Sequence, residues 1–141
     1  MSEFKIFHYE LNTRKLPAEA KGLIFVLLAD LHNHMYGPDN ERLLAAIEAQ
    51  KPDAILVAGD MLIAHTGQSF APALHLLLKL REKGYPVFYG NGNHEYRMRI
   101  YPEVYGSMYD DYMTPLRACG VILLENEKAV FEKDGQQVTI Y

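Results

Sequence analysis

Three short runs in the sequence carry side chains able to hold a metal ion or move a proton. In the first, Leu27-Leu28-Ala29-Asp30-Leu31-His32, an apolar stretch leads straight into a carboxylate and an imidazole. Strand alternation would point Asp30 and His32 to one side, giving one hard oxygen and one nitrogen for a divalent metal. In the second, Val57-Ala58-Gly59-Asp60-Met61, Gly59 permits a tight backbone path and Asp60 arrives at the end of another apolar run. The third is Gly90-Asn91-Gly92-Asn93-His94-Glu95. Its glycines allow an irregular loop, Asn93 offers an amide oxygen to a metal, and His94 can hold a proton or donate one to a bound oxyanion.

These residue types suit phosphoryl chemistry. Two cations about 3.5–4 Å apart can share a bridging carboxylate, polarise phosphoryl oxygens and lower the pKa of a bridging water until it attacks in line. Asp60, between the other two runs, is the natural bridge. Asp30 and His32 then hold one ion and Asn93 the other, while His94 stays off the metals to stabilise the oxyanion or protonate the leaving oxygen. A plainer reading makes both aspartates turn residues and both histidines polar loop residues, but it leaves the Asn-His pair among glycines without a structural duty.

For these residues to meet, the runs before them must lie side by side. "LIFVLLAD", "AILVAGD" and "PVFYG" read as strands, the third finishing near Tyr89. Between the first two, Leu43, Leu44 and Ile47 share a helical face behind a cap at Asp39 or Asn40. Between the second and third, Phe70, Leu74, Leu77 and Leu78 do the same, and Gly84 supplies a C-cap. Spacings of 30 residues from Asp60 back to Asp30 and 33 on to Asn93 suit βαβ units. The near-continuous apolar strands fit a parallel sheet, which places the chain in the α/β class. Right-handed crossovers bring the carboxyl ends of all three strands to one edge, where such folds build their sites. Downstream, a helix is expected around Asp111 to Ala118, followed by short strands with Asp134-Gly135 as a hairpin turn. The amino-terminal segment, including His8, reads as a strand followed by a turn.

The chain has 141 residues and a net charge of -4, with 14 Lys+Arg against 18 Asp+Glu and 49% apolar residues. That is the size of one domain with a real core, and it excludes disorder, coiled coil and collagen. No basic cluster offers a nucleic-acid backbone groove. The lone Cys119 cannot form an internal disulfide or a multi-thiolate metal site, which points to a reducing compartment. The longest nearly apolar run, Leu23 to Ala29, is too short to cross a bilayer, and no signal-peptide pattern opens the chain. A cytoplasmic location is expected.

The elements "DLH", "GD" and "GNHE" resemble the amino-terminal half of the calcineurin-like metallophosphoesterase family, and the chain is similar in particular to its small bacterial phosphodiesterase branch. The resemblance implies a two-sheet sandwich flanked by helices. It also implies a dinuclear site holding manganese, iron or zinc that hydrolyses phosphomonoesters or phosphodiesters, with a small phosphorylated substrate. By the same resemblance Asp30 and His32 are ligands of the first ion, Asp60 bridges, Asn93 binds the second ion, and His94 is the catalytic histidine. The family completes its metal shell with a downstream histidine and a Gly-His-x-His element, yet no histidine follows His94. Residues 1–141 are therefore expected to be the amino-terminal part of a single domain, weakly active or inactive alone, that self-associates or takes a complementary carboxy-terminal fragment. The alternative is a non-catalytic α/β fragment or interaction module with a vestigial metal half-site.

Other candidates have weaker grounds. His34 reads as a solvent-exposed loop residue or a phosphate or substrate contact, His65 as a residue lining the site mouth, and His75 as structural or surface. Glu95 either orients His94 or caps the next segment. The tyrosines from Tyr96 to Tyr112 read as packing or as an apolar substrate wall, and Arg97 and Arg99 as surface residues or phosphate contacts.

Overall fold

A computed structural model describes residues 3–14 and 22–141. The three apolar runs form β1 (Phe25–Leu28), β2 (Ala54–Val57) and β3 (Val87–Gly90), and Ile122–Leu124 adds β4. They lie in the order β1-β2-β3-β4, all parallel, with Phe25 opposite Ala54, Leu56 opposite Phe88 and Phe88 opposite Ile122. Helices α1 (Glu41–Ala49), α2 (Ala71–Glu82) and α5 (Met108–Ala118) lie between successive strands, and the short α3 (Asn93–Ile100) and α4 (Pro102–Tyr105) follow β3. The expected α/β arrangement with crossover helices is present.

Alternation along the strands divides the core. Ile55, Val57, Val87 and Tyr89 pack on the helical side against Leu44, Ile47, Leu76, Leu77, Leu80, Met98, Tyr112, Met113 and Leu116. On α2 the fully buried face is Ala73, Leu76, Leu77 and Leu80, while Phe70, Leu74 and Leu78, which the spacing also favoured, are half-buried. Gly84 ends α2 at φ 91°, a conformation that L side chains rarely adopt. The expected cap of α1 takes another form: Asn40 makes no capping bond, but is buried, accepts Tyr36 N–H and donates to the Pro72 carbonyl.

The opposite sheet face carries Phe25, Ala54, Leu56, Phe88 and Leu124, and a hairpin of β5 (Ala129–Lys133) and β6 (Gln136–Ile140) covers part of it. Asp134-Gly135 forms its turn, with both residues at positive φ. Phe131 meets Phe25 and Phe88 edge-on at centroid distances of 5.4 and 6.4 Å. Lys133 pairs with Asp53, whose second oxygen accepts the Ile24 N–H, so one carboxylate ties hairpin, β1 and β2 together. Beyond the hairpin Leu27 is 65% exposed.

Two expectations are corrected. Residues 3–14 form no strand, because nothing pairs with their backbone in a ladder; Phe7, Tyr9 and Leu11 are exposed, and His8 reaches Gln50 from an irregular segment. The turn expected after it falls partly on residues 15–21, outside those described. Secondly, the helix expected around Asp111 begins earlier, at Met108, and a further helix opens at Asn93, directly after the glycine-bearing turn. Among the described residues no helix is long and apolar enough to cross a membrane.

Candidate metal centre

Each strand ends in a loop at the same edge of the sheet, and backbone hydrogen bonds knit those loops together. Ala58 N–H donates to Leu28 O, Asp30 N–H to Gly59 O, His32 N–H to Asp60 O and Asn33 N–H to Met61 O, at 2.8–3.1 Å. The path needs left-handed backbone at Asp30 (φ 55°), His32 (φ 48°), Asn33 (φ 58°), Gly59 (φ 85°) and Asp60 (φ 53°). Non-glycine residues adopt that conformation at a cost of about 1–2 kcal/mol each, so the strain falls on chemically competent residues. This corrects the alternation argument for Asp30 and His32. Strand β1 has ended at Leu28, and a turn brings Asp30 Oδ1 to 3.9 Å from His32 Nε2.

Close approach of the second and third loops explains their glycines. A Cβ on Gly59 would stand 2.8 Å from the Asn91 carbonyl carbon and nearer still to Gly92 N and Cα. One on Gly92 would stand 2.7 Å from Asp60 Cγ and nearer still to the Asp60 backbone nitrogen. Gly90, by contrast, closes β3 and has only Val57 O within 4 Å, at 3.8 Å. Glycine is thus required at positions 59 and 92, where backbone meets backbone, and not at 90.

At this junction one ligand atom each from His32, Asp60 and His94 lies within 4.8 Å of the others. His32 is exposed, Asp60 and His94 are half-buried, and their arrangement can hold part of one ion's coordination shell. Asp60 Oδ1 accepts the His94 backbone N–H at 2.9 Å, and the His32 and His94 rings meet edge-on at 5.2 Å. Asp30 lies outside this cluster with a side chain 71% exposed, and Asn93 opens α3 with its side chain exposed. The structure therefore brings together three of the five residues the sequence singled out. It leaves a second ion short of donors among the described residues.

Ala64 N–H donates to His94 Nδ1 at 2.9 Å. A ring nitrogen that accepts carries no proton, so a neutral His94 keeps its proton on Nε2. In that form Nε2 is a donor, and it can bind a metal only after losing its proton.

Glu95 is the residue that sequence reasoning undervalued. Its side chain is fully buried, and both oxygens accept two bonds: Oε2 from Asp60 N–H (2.9 Å) and Gly92 N–H (3.0 Å), Oε1 from Met61 N–H (3.0 Å) and Tyr89 Oη (2.5 Å). Tyr89 Oη lies 3.0 Å from Tyr112 Oη. Burial, together with Tyr112 and the Glu95 charge, holds the Tyr89 phenol well above its usual range, and burial raises Tyr112 too. The alternation of Tyr89 with apolar residues in β3 hides this role, because a core tyrosine and a core phenylalanine occupy the same positions in such a pattern.

Further along the edge, Glu125 Oε1 accepts bonds from Asn91 and Tyr109, and its other oxygen pairs with Arg99 at 3.2 Å. Arg99 is thereby committed to a carboxylate. The remaining histidines take surface positions: His34 packs on Tyr36, His65 Nδ1 lies 3.0 Å from Thr66 O, and His75 lies 3.4 Å from Asp39. Tyr109 and Tyr112 are packing residues, whereas Tyr96 and Tyr101 are exposed.

Compared with known protein families, residues 23–138 match the family model described as calcineurin-like phosphoesterase. No curated protein matches the chain.

Proposed function

The chain belongs to the calcineurin-like phosphoesterase family, and on that premise we propose that it is a divalent-metal-binding α/β scaffold with an incomplete, single-ion site for a phosphate ester. The observation that carries this reading is the convergence of His32, Asp60 and His94 within 4.8 Å. His32 and Asp60 would hold the ion, with Asp30, 3.9 Å from His32, as a further oxygen donor. A bound divalent ion would supply Lewis-acid polarisation of a phosphoryl oxygen and a lowered pKa for bound water. His94 holds a proton on Nε2, fixed there by the Ala64 N–H on its other nitrogen, and offers it to a phosphoryl or leaving oxygen. Asn93, one residue before His94, is proposed as a ligand of a second ion, but among the described residues no cluster forms around it to complete such a shell.

On this reading, residues 1–141 bind one ion and phosphate, and hydrolyse esters very weakly or not at all. A second reading, hydrolysis of phosphomonoesters or phosphodiesters at a completed two-ion site, takes support from the His94 tautomer, which suits an acid better than a ligand. It needs ligands from further polypeptide or from a partner.

Calorimetric titration with Mn2+ tests the proposal. One ion per chain is expected, with affinity at least about tenfold weaker in Asp60→Ala; no binding to the wild-type chain would sink it. Hydrolysis of bis-p-nitrophenyl phosphate separates the two readings. Turnover comparable to a complete two-metal enzyme, abolished in Asp60→Ala and His94→Ala, would favour the second.

A further inference from the structure

We infer that Glu95 is the positioning residue of the metal centre: its buried carboxylate, and not an ion, sets the distance between the loop bearing Asp60 and the loop bearing His94. Hydrogen bonds and burial carry the argument. A fully buried carboxylate is costly unless its acceptor sites are filled by donors, and here two bonds reach each oxygen. The donors come from both loops. Asp60 and Met61 N–H belong to the segment after β2, Gly92 N–H to the turn into α3, and Tyr89 to the strand beneath.

The result is a clamp. Oε2 alone bridges the loops, receiving Asp60 N–H and Gly92 N–H, and this holds Gly92 against Asp60 so closely that no side chain fits there. Within that contact Asp60 Oδ1 reaches His94 N–H. A cap serving α3 alone would need only the bond to Gly92. The two bonds to the Asp60 loop and the one to Tyr89 do nothing for the helix, but they place Asp60. All of these bonds join protein groups to one another, so on this inference the spacing of Asp60 and His94 does not depend on a bound ion.

Glu95→Gln tests this. An amide replaces one carboxylate oxygen with a donor, so one pair of donors loses its acceptor whichever way the side chain turns. The first readout, amide hydrogen exchange of the metal-free chain, does not depend on the functional reading above. The His94 N–H is bonded to Asp60, not to Glu95, so its protection should fall about tenfold or more in Glu95→Gln only if Glu95 positions Asp60. Unchanged His94 protection would overturn the inference. The second readout, Mn2+ affinity, rests on the metal-binding reading, and should fall about 10–100-fold, as for outer-shell partners of metal ligands.

Leu77→Ala, a core change remote from these loops, should lower stability while leaving both readouts of the folded chain unchanged; a matching fall would reduce Glu95 to a stability residue and overturn the inference. Tyr89→Phe provides a milder variant should Glu95→Gln fail to fold. It removes one donor to Oε1, and should increase His94 exchange by a smaller factor; no increase would count against the clamp. If wild-type protein fails to bind Mn2+ while His94 exchange still responds to Glu95→Gln, the clamp stands and the metal reading falls.

Discussion

Replacing Gly59 with alanine tests how the candidate centre is assembled. The added Cβ would meet the Asn91 carbonyl carbon at 2.8 Å, with Gly92 N and Cα nearer still, where carbon atoms ordinarily sit about 3.5–4 Å apart. All three neighbours are backbone atoms, so relief requires moving one loop rather than rotating a side chain. Overpacking of this kind costs about 1–3 kcal/mol. Gly59 also sits at φ 85°, where an L side chain adds about 1–2 kcal/mol. Together the destabilisation is about 2–5 kcal/mol. For 141 residues the unfolding entropy is about 0.3 kcal/mol/K, so the melting temperature should drop by about 7–17 °C. Circular dichroism melting of the metal-free chain measures it, with Gly90→Ala as comparison, since a Cβ there finds its nearest atom at 3.8 Å. A Gly59→Ala protein melting within about 2 °C of wild type would refute the close approach of these loops.

Alkaline pH should destabilise the fold through Tyr89 and Tyr112, whose folded pKa values lie above the ordinary 10.0 because burial penalises the phenolate. A raised folded pKa means stability that is whole below about pH 10 and lost as pH rises above it, when the unfolded chain releases protons the folded chain retains. Melting temperatures from pH 9 to 11.5 should fall more steeply for wild type than for Tyr89→Phe/Tyr112→Phe, and equal slopes would count against the buried pair. Phe131→Ala should cost about 3–5 kcal/mol and free the hairpin, since two strands alone are marginal. Hydrogen exchange should then show β5 and β6 unprotected while β2 and β3 remain protected; uniform loss would mean that the hairpin is integral to one cooperative unit. Leu27, 65% exposed on the uncovered part of the sheet, should promote self-association, so Leu27→Lys should shift sedimentation toward monomer. A wild-type chain that sediments as a single monomeric species at all concentrations would remove that expectation.

Much of this protein is legible in residue order alone. Apolar runs ending in Asp30, Asp60 and the Gly90–Glu95 tract, separated by helical periodicity, determine the parallel sheet and the edge at which its chemistry gathers, because βαβ crossovers have one favoured hand. The motifs "DLH", "GD" and "GNHE" likewise identify the family and nominate His32, Asp60 and His94. What spacing could not reveal is the local backbone. Asp30 and His32 approach through left-handed residues rather than strand alternation, since tertiary hydrogen bonds to Gly59 and Asp60 outweigh the intrinsic cost of that conformation. Nor could spacing tell which glycines are obligatory, because Gly59 and Gly92 are required by contact between loops far apart in sequence, whereas Gly90 is not. Only the tertiary structure showed Glu95 as a shared acceptor. A single acidic residue after Asn-His looks the same in sequence whether it caps one helix or joins two loops, and the donors that decide between them arrive from 34 and 35 residues away.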